Sequence, residues 1–208
     1  KSLAYYDVTN YYFEIPYDDE DIVEDGKVVK KGTRKRGPSK EHKPNPIRQM
    51  GLLMDSRNFP MAFNAFSGGD SEKTSLLPTI RRVKKDFDIE RIVTVADRGL
   101  NTSDNTYLMA GKNDDKCKHN DGYVYGQSVL GGDAEFKAFV LDQKGYISQT
   151  KLDKDNKPYD FKCKSRLYAK KITVKDKNGK RRLVDTTYQK QVVYWSSKYA
   201  AKQKKERD

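Results

Sequence analysis

An apolar run that stops abruptly at a carboxylate constrains this chain most. Glu90-Arg91-Ile92-Val93-Thr94-Val95-Ala96-Asp97-Arg98-Gly99-Leu100-Asn101 is rich in β-branched residues at its centre and turns at a glycine. A short run without polar alternation fits a strand covered on both faces, as parallel strands in α/β sheets are. Asp97 then falls at the strand's carboxyl end, where open sheets flanked by helices hold ligands and catalytic groups. A second carboxylate, Asp7, sits within the tyrosine-rich strand pattern Leu3 to Phe13. Alternation puts Tyr5, Asp7, Thr9 and Tyr11 on one side of that strand and Ala4, Tyr6 and Val8 on the other. A right-handed crossover laying the Asp97 strand parallel to the first would bring the two carboxylates together.

The remaining elements follow from period and punctuation. Residues 47–55 and 59–66 read as strands joined by the polar turn Asp55-Ser56-Arg57-Asn58, which makes three antiparallel strands with the first. Leu76, Leu77, Ile80, Val83 and Phe87 recur at helical spacing, and Pro78 places the helix start near Ser75, with Thr74 as the expected cap. A short helix is expected over 104–112, a strand over 122–129, and a helix capped by Asp133 with Phe136, Phe139 and Val140 as its apolar stripe. From Tyr146 onward short β-prone pieces alternate with charges, including a hairpin signal at Asn178-Gly179 and a strand over 191–195. Residues 196–208 read as a charged helix. The fold class is therefore mixed α/β, with one domain over 1–145 and a smaller β-rich region with a charged tail over 146–208.

Charge narrows the partner. The chain has 208 residues, 42 Lys and Arg against 30 Asp and Glu, and a net charge of +12. That excess favours a polyanion, and no apolar stretch nears the roughly 18 residues of a membrane span. Nucleic acid is the expected partner and the cytoplasm the expected location. Residues 14–25 hold seven acids and no base, whereas 27–48 hold nine Lys and Arg against Glu41. Gly32, Gly37, Pro38, Pro44 and Pro46 mark the second stretch as a long loop. Lys30, Lys31, Arg34, Lys35, Arg36 and Lys40 are its candidate phosphate contacts, although a solvated connector has the same composition. Residues 151–190, with 14 Lys and Arg against five acids, form a second basic stretch. Cys117 and Cys163 make no C-x-x-C pair, so neither a disulfide framework nor a zinc module is indicated.

Four segments in order carry a family resemblance: Tyr5-Tyr6-Asp7-Val8-Thr9-Asn10, Gly37-Pro38-Ser39-Lys40-Glu41-His42-Lys43-Pro44-Asn45-Pro46, Met50-Gly51-Leu52-Leu53-Met54-Asp55 and Val95-Ala96-Asp97-Arg98-Gly99-Leu100-Asn101. With a weaker likeness at Lys164-Ser165-Arg166-Leu167-Tyr168, the sequence resembles the DDE transposases of bacterial insertion sequences. The resemblance implies an RNase H-like catalytic core interrupted by a β-rich insertion, and metal-dependent DNA cleavage and strand transfer. It makes Asp7 and Asp97 the first two acids of the catalytic triad, holding two Mg2+ or Mn2+ ions, with Arg98 beside them on a phosphate.

The implied partners are double-stranded transposon ends and target DNA, bound by a homodimer near the nucleoid. The family's third acid follows a Tyr and an Arg at spacings that Tyr199, Lys202 and Glu206 reproduce, with Lys in the place of Arg. The helix around Glu206 lacks core-facing apolar residues, so the third acid is expected beyond residue 208 and the chain reads as a fragment with little activity alone. The competing expectations are a DNA-binding module without chemistry and a metal-dependent nuclease.

Overall fold

The structure, a computed structural model, describes residues 2–38, 42, 44–110, 121–176 and 178–206. By its contacts the chain divides into two compact units, Lys1–Gln127 and Ser128–Asp208. Among the described residues no helix is long and apolar enough to cross a membrane.

The first unit is built on a mixed five-stranded sheet. Its strands are β1 (Ser2–Tyr12), β4 (Ile47–Asp55), β5 (Pro60–Ser67), β6 (Ile92–Ala96) and β7 (Gly122–Tyr125), in the order β5-β4-β1-β6-β7. β1 pairs antiparallel with β4 and β4 with β5, while β1 pairs parallel with β6 and β6 with β7. The helices α1 (Leu76–Asp86) and α2 (Ser103–Met109) close the core: Leu76, Ile80, Val83 and Met109 cluster with Ala4, Tyr6, Val8, Leu53, Ile92 and Ala96. Within β6, Ile92, Thr94 and Ala96 are buried, but Val93 and Val95 are only half-buried. Full burial therefore holds for one face, not for the two that the unbroken apolar run predicts.

Details of the chemistry set the boundaries. β7 stops at Tyr125 rather than reaching 129; just beyond it the Gly126 N–H donates to the Ala96 carbonyl and the Gly126 carbonyl accepts from Asn101 Nδ2. Ser75, not Thr74, is the N-cap residue of α1, and Thr74 belongs to a 3-10 turn over Glu72–Thr74. The Ser75 hydroxyl is held elsewhere: it accepts from Tyr6 and donates to the Glu72 carbonyl. A small hairpin, β2 (Ile22–Glu24) and β3 (Lys27–Lys30), occupies part of the stretch expected to be loop. Its turn uses Asp25 and Gly26, both at positive φ, the pairing a tight hairpin turn requires.

The second unit is a three-stranded antiparallel sheet, β8 (Ile147–Leu152), β9 (Pro158–Lys175) and β10 (Arg181–Ser196), with helices α3 (Ala134–Leu141) and α4 (Ser197–Lys205). Asp133 caps α3 by accepting from the Phe136 N–H, and α3 lies in this unit rather than with the first. The side chains explain why. Phe139 packs under the cations of Lys164 and Arg166, and Arg166 Nη1 pairs with Glu135 at 2.9 Å. The hairpin turns at Asp153–Lys157 and Asp176–Lys180 share one design with the turn after β4. In each an aspartate side chain accepts two backbone N–H groups, and a residue at positive φ (Asn58, Asn156, Gly179) completes the turn.

Candidate functional site

The parallel register of β1 and β6 runs from Ser2 opposite Ile92 to Tyr6 opposite Ala96. Asp7 is the next residue of β1, and Asp97 is the first residue after β6. Ala4, Tyr6 and Val8 are buried while Tyr5, Asp7 and Thr9 are exposed, so Asp7 points away from the helices. Ala96 is buried and Asp97 exposed, with Asp97 still in extended backbone geometry at φ −71° and ψ 178°. Alternation thus directs both carboxylates to one face. Neighbouring strands lie about 4.8 Å apart, which sets the scale of the backbone separation.

The segment after β6 is shaped by close approaches. Asp97 Oδ1 accepts the Gly99 N–H at 2.9 Å and so caps the 3-10 turn Arg98–Leu100. Leu100 is buried in the core. Asn101 Nδ2 donates to the Gly126 carbonyl at 3.1 Å, and a β-carbon on Gly126 would stand 3.0 Å from the Arg98 backbone nitrogen. The motif Ala96-Asp97-Arg98-Gly99-Leu100-Asn101 therefore fixes where the strand ends and how the Asp97 carboxylate is presented, with Arg98 exposed beside it.

Two other motif segments are also tied to β1. Asn10 Nδ2 donates to the Pro38 carbonyl at 3.0 Å, and a side chain at Gly37 would strike the Gly68 carbonyl. Ser39, Lys40, Glu41 and Lys43 lie outside the described residues. Gly51 leaves room for the ring of Tyr6, whose hydroxyl occupies the place of a side chain there.

The candidate phosphate contacts of the basic stretch divide. Lys30 and Lys31 are exposed. Arg34 Nε donates to Asp19 Oδ1 at 2.6 Å, Lys35 Nζ lies 3.0 Å from Asp21, and Arg36 Nη1 lies 3.4 Å from Asp18. The acidic stretch also holds the basic one through its backbone: Asp19 accepts from the N–H groups of Thr33 and Arg34, and Asp21 from that of Gly32. Hydrogen bonds from the Arg34 guanidinium, then from these backbone groups, hold the Asp19 carboxyl far below the usual carboxylate range. Seven acids followed by nine bases, with Asp-Gly between them, were the available signal for this self-pairing.

In the second unit Glu206 forms the C-cap of α4, and its carboxylate accepts from Gln203 at 2.8 Å. The bases of residues 151–190 are split between the two faces of the sheet. Lys164 is buried and donates to the Asp142 carbonyl, and Arg166 Nε donates to Gln191 at 2.7 Å.

Asp7 and Asp97 offer hard oxygen donors of the kind that suits a magnesium or manganese ion. Among the described residues no group of three or more His, Cys, Asp or Glu side chains is placed to hold a metal ion. Cys117 and His119 lie outside the described residues. The chain matches no family model, no curated protein and no solved structure.

Proposed function

We propose that this chain is catalytic-core sequence of a DDE-type transposase, cutting and joining DNA with a divalent metal and acting on transposon ends and target as a homodimer. The observation that carries the reading is the register of β1 and β6, whose last pair, Tyr6 opposite Ala96, immediately precedes Asp7 and Asp97. The sheet supports it. Three antiparallel strands followed by two parallel ones, in the order β5-β4-β1-β6-β7, are what this reading expects of an RNase H-like core.

In this reading Asp7 and Asp97 bind the metal, which when bound supplies Lewis acidity at the scissile phosphate and activates the attacking hydroxyl. Gly99 orients the Asp97 carboxylate by donating its N–H to Oδ1. Arg98 holds a neighbouring phosphate oxygen, and Lys30 and Lys31 contact the DNA backbone further off.

The test is Asp97→Asn in the protein supplied with transposon-end DNA and Mg2+ or Mn2+. The reading expects cleavage and joining to be lost while duplex binding is kept; if both reactions persist, it is wrong. A pre-cut 3′-hydroxyl end offered with target DNA separates a transposase, which joins them, from a nuclease, which does not. A second reading is a DNA-holding module of the same fold, to which the net charge of +12 is suited. It expects binding without cleavage even in the unaltered protein.

A further inference from the structure

The second unit presents a sheet face whose composition is unlike a solvated one. Register and alternation assemble it from Ile147, Gln149 and Lys151 of β8, the odd residues Phe161 to Lys171 of β9, and Thr186, Tyr188, Lys190, Val192 and Tyr194 of β10. The opposite face carries Lys164 and Arg166, packed on Phe139 of α3. On the first face Tyr188 is 79% exposed and Tyr194 68% exposed, with Leu167 and Val192 also open.

Three observations select an occupant. The described residues of this face include lysines at 151, 171 and 190 and no carboxylate, so its charge is of one sign. The aromatic groups are clustered with a cation: Tyr194, itself exposed, stacks on Phe161 with centroids 6.0 Å apart and planes 18° apart, and Lys151 Nζ sits 3.8 Å from the Phe161 ring centroid. Tyr188 and Tyr194 point to the same side six residues apart, roughly 20 Å along a strand, a span of roughly six nucleotides at the rise of a stacked strand. An uncovered antiparallel sheet with exposed rings between lysines has the chemistry of a stacking platform for unpaired bases. A protein partner of ordinary surface would leave these lysines unmatched; a duplex buries its bases and has nothing to place on the rings.

We infer that this face binds single-stranded DNA, stacking bases on Tyr188 and on the Tyr194–Phe161 pair while Lys151, Lys171 and Lys190 neutralise phosphates. The inference deepens the strand-transfer reading and rests on it, since unpaired ends arise where strands are cut and exchanged.

The experiment is fluorescence anisotropy of the whole chain with a labelled oligothymidylate of roughly 20 nucleotides, longer than the sites of typical single-strand binders, and with a duplex of the same length. Tyr188→Ala with Tyr194→Ala should weaken oligothymidylate binding about tenfold or more. Duplex binding should be unchanged, and the corresponding Phe substitutions should restore affinity. Replacing the three lysines by Gln should lower the slope of log affinity against log salt by about two.

If the double alanine variant binds oligothymidylate as the unaltered chain does, or if the unaltered chain binds duplex and no single strand, this inference is overturned and the strand-transfer reading stands. If the chain binds neither, both fall. If the alanine variant instead dissolves a concentration-dependent dimer in sedimentation velocity with no change in oligothymidylate affinity, the face belongs to a second copy and the inference is overturned.

Discussion

The hydroxyl of Tyr6 donates to Ser75 Oγ at 2.8 Å, joining the strand that carries Asp7 to the first turn of α1. Its ring crosses the backbone of β4 where Gly51 has no side chain. Gly51→Ala sets a methyl group against that ring and is expected to destabilise the first unit by about 1–3 kcal/mol. Tyr6→Phe removes the hydroxyl and costs about 1 kcal/mol. Because the hydroxyl is what the new methyl meets first, the double variant should lose less than the sum. Urea unfolding of the four proteins measures this coupling, and strict additivity would refute it.

At the opposite end of β6, Lys84 Nζ lies 2.8 Å from Asp121 Oδ2, and Asp121 Oδ1 accepts the Ile92 N–H. Both side chains are largely shielded from water, at 14% and 7% exposure. Asp121→Asn keeps an oxygen for Ile92 but removes the carboxylate charge that faces Lys84, and should destabilise by about 1.5–3 kcal/mol. Pairing it with Lys84→Met should recover part of that loss. Thermal unfolding of the single and double variants decides; a single variant as stable as the parent would show that the ion pair contributes nothing net.

Acid should loosen the charged hairpin before the rest of the first unit. The Asp19 carboxyl is lowered chiefly by the Arg34 guanidinium, and that of Asp21 chiefly by the Gly32 N–H. A folded value below the unfolded one means stabilisation that is present above the unfolded carboxylate value of about 3.9 and is lost as pH falls through the depressed one. Amide exchange at Gly32, Thr33 and Arg34 should therefore accelerate in that acid window in the parent. In Asp19→Ala the Thr33 and Arg34 amides lose their side-chain acceptor and should be poorly protected even at neutral pH. Protection that is independent of both acid and the substitution would contradict the pairing.

The sheet and its two aspartates were legible because each signal was local and redundant. The apolar run at 92–96 ends in Asp97, the first strand alternates around Asp7, and the connecting segment holds one amphipathic helix, which leaves a parallel neighbour as the natural pairing. Charged segments hid more. Ile22–Glu24 and Lys27–Lys30 are exposed throughout, so no burial period marks them, and only Asp25-Gly26 betrays the turn. β9 shows in the sequence only as fragments because its covered face carries Lys162, Lys164 and Arg166, whose cations lie on the rings of Tyr146, Trp195, Phe139 and Tyr168. Cation–π packing lets lysine and arginine stand where a hydropathy pattern expects leucine.

Everything functional rests on Asp7 and Asp97 acting as one ligand pair, and divalent-ion binding tests that without requiring turnover. Mn2+ should be titrated into the unaltered chain, Asp7→Asn, Asp97→Asn and the double variant, following the ion by electron paramagnetic resonance. The account predicts that either single substitution weakens the site by more than the roughly 10–100-fold that loss of an outer-shell partner costs, and that the double variant is no weaker than the singles. Binding that survives either substitution unchanged, or losses that simply add, would mean that the two aspartates do not share an ion.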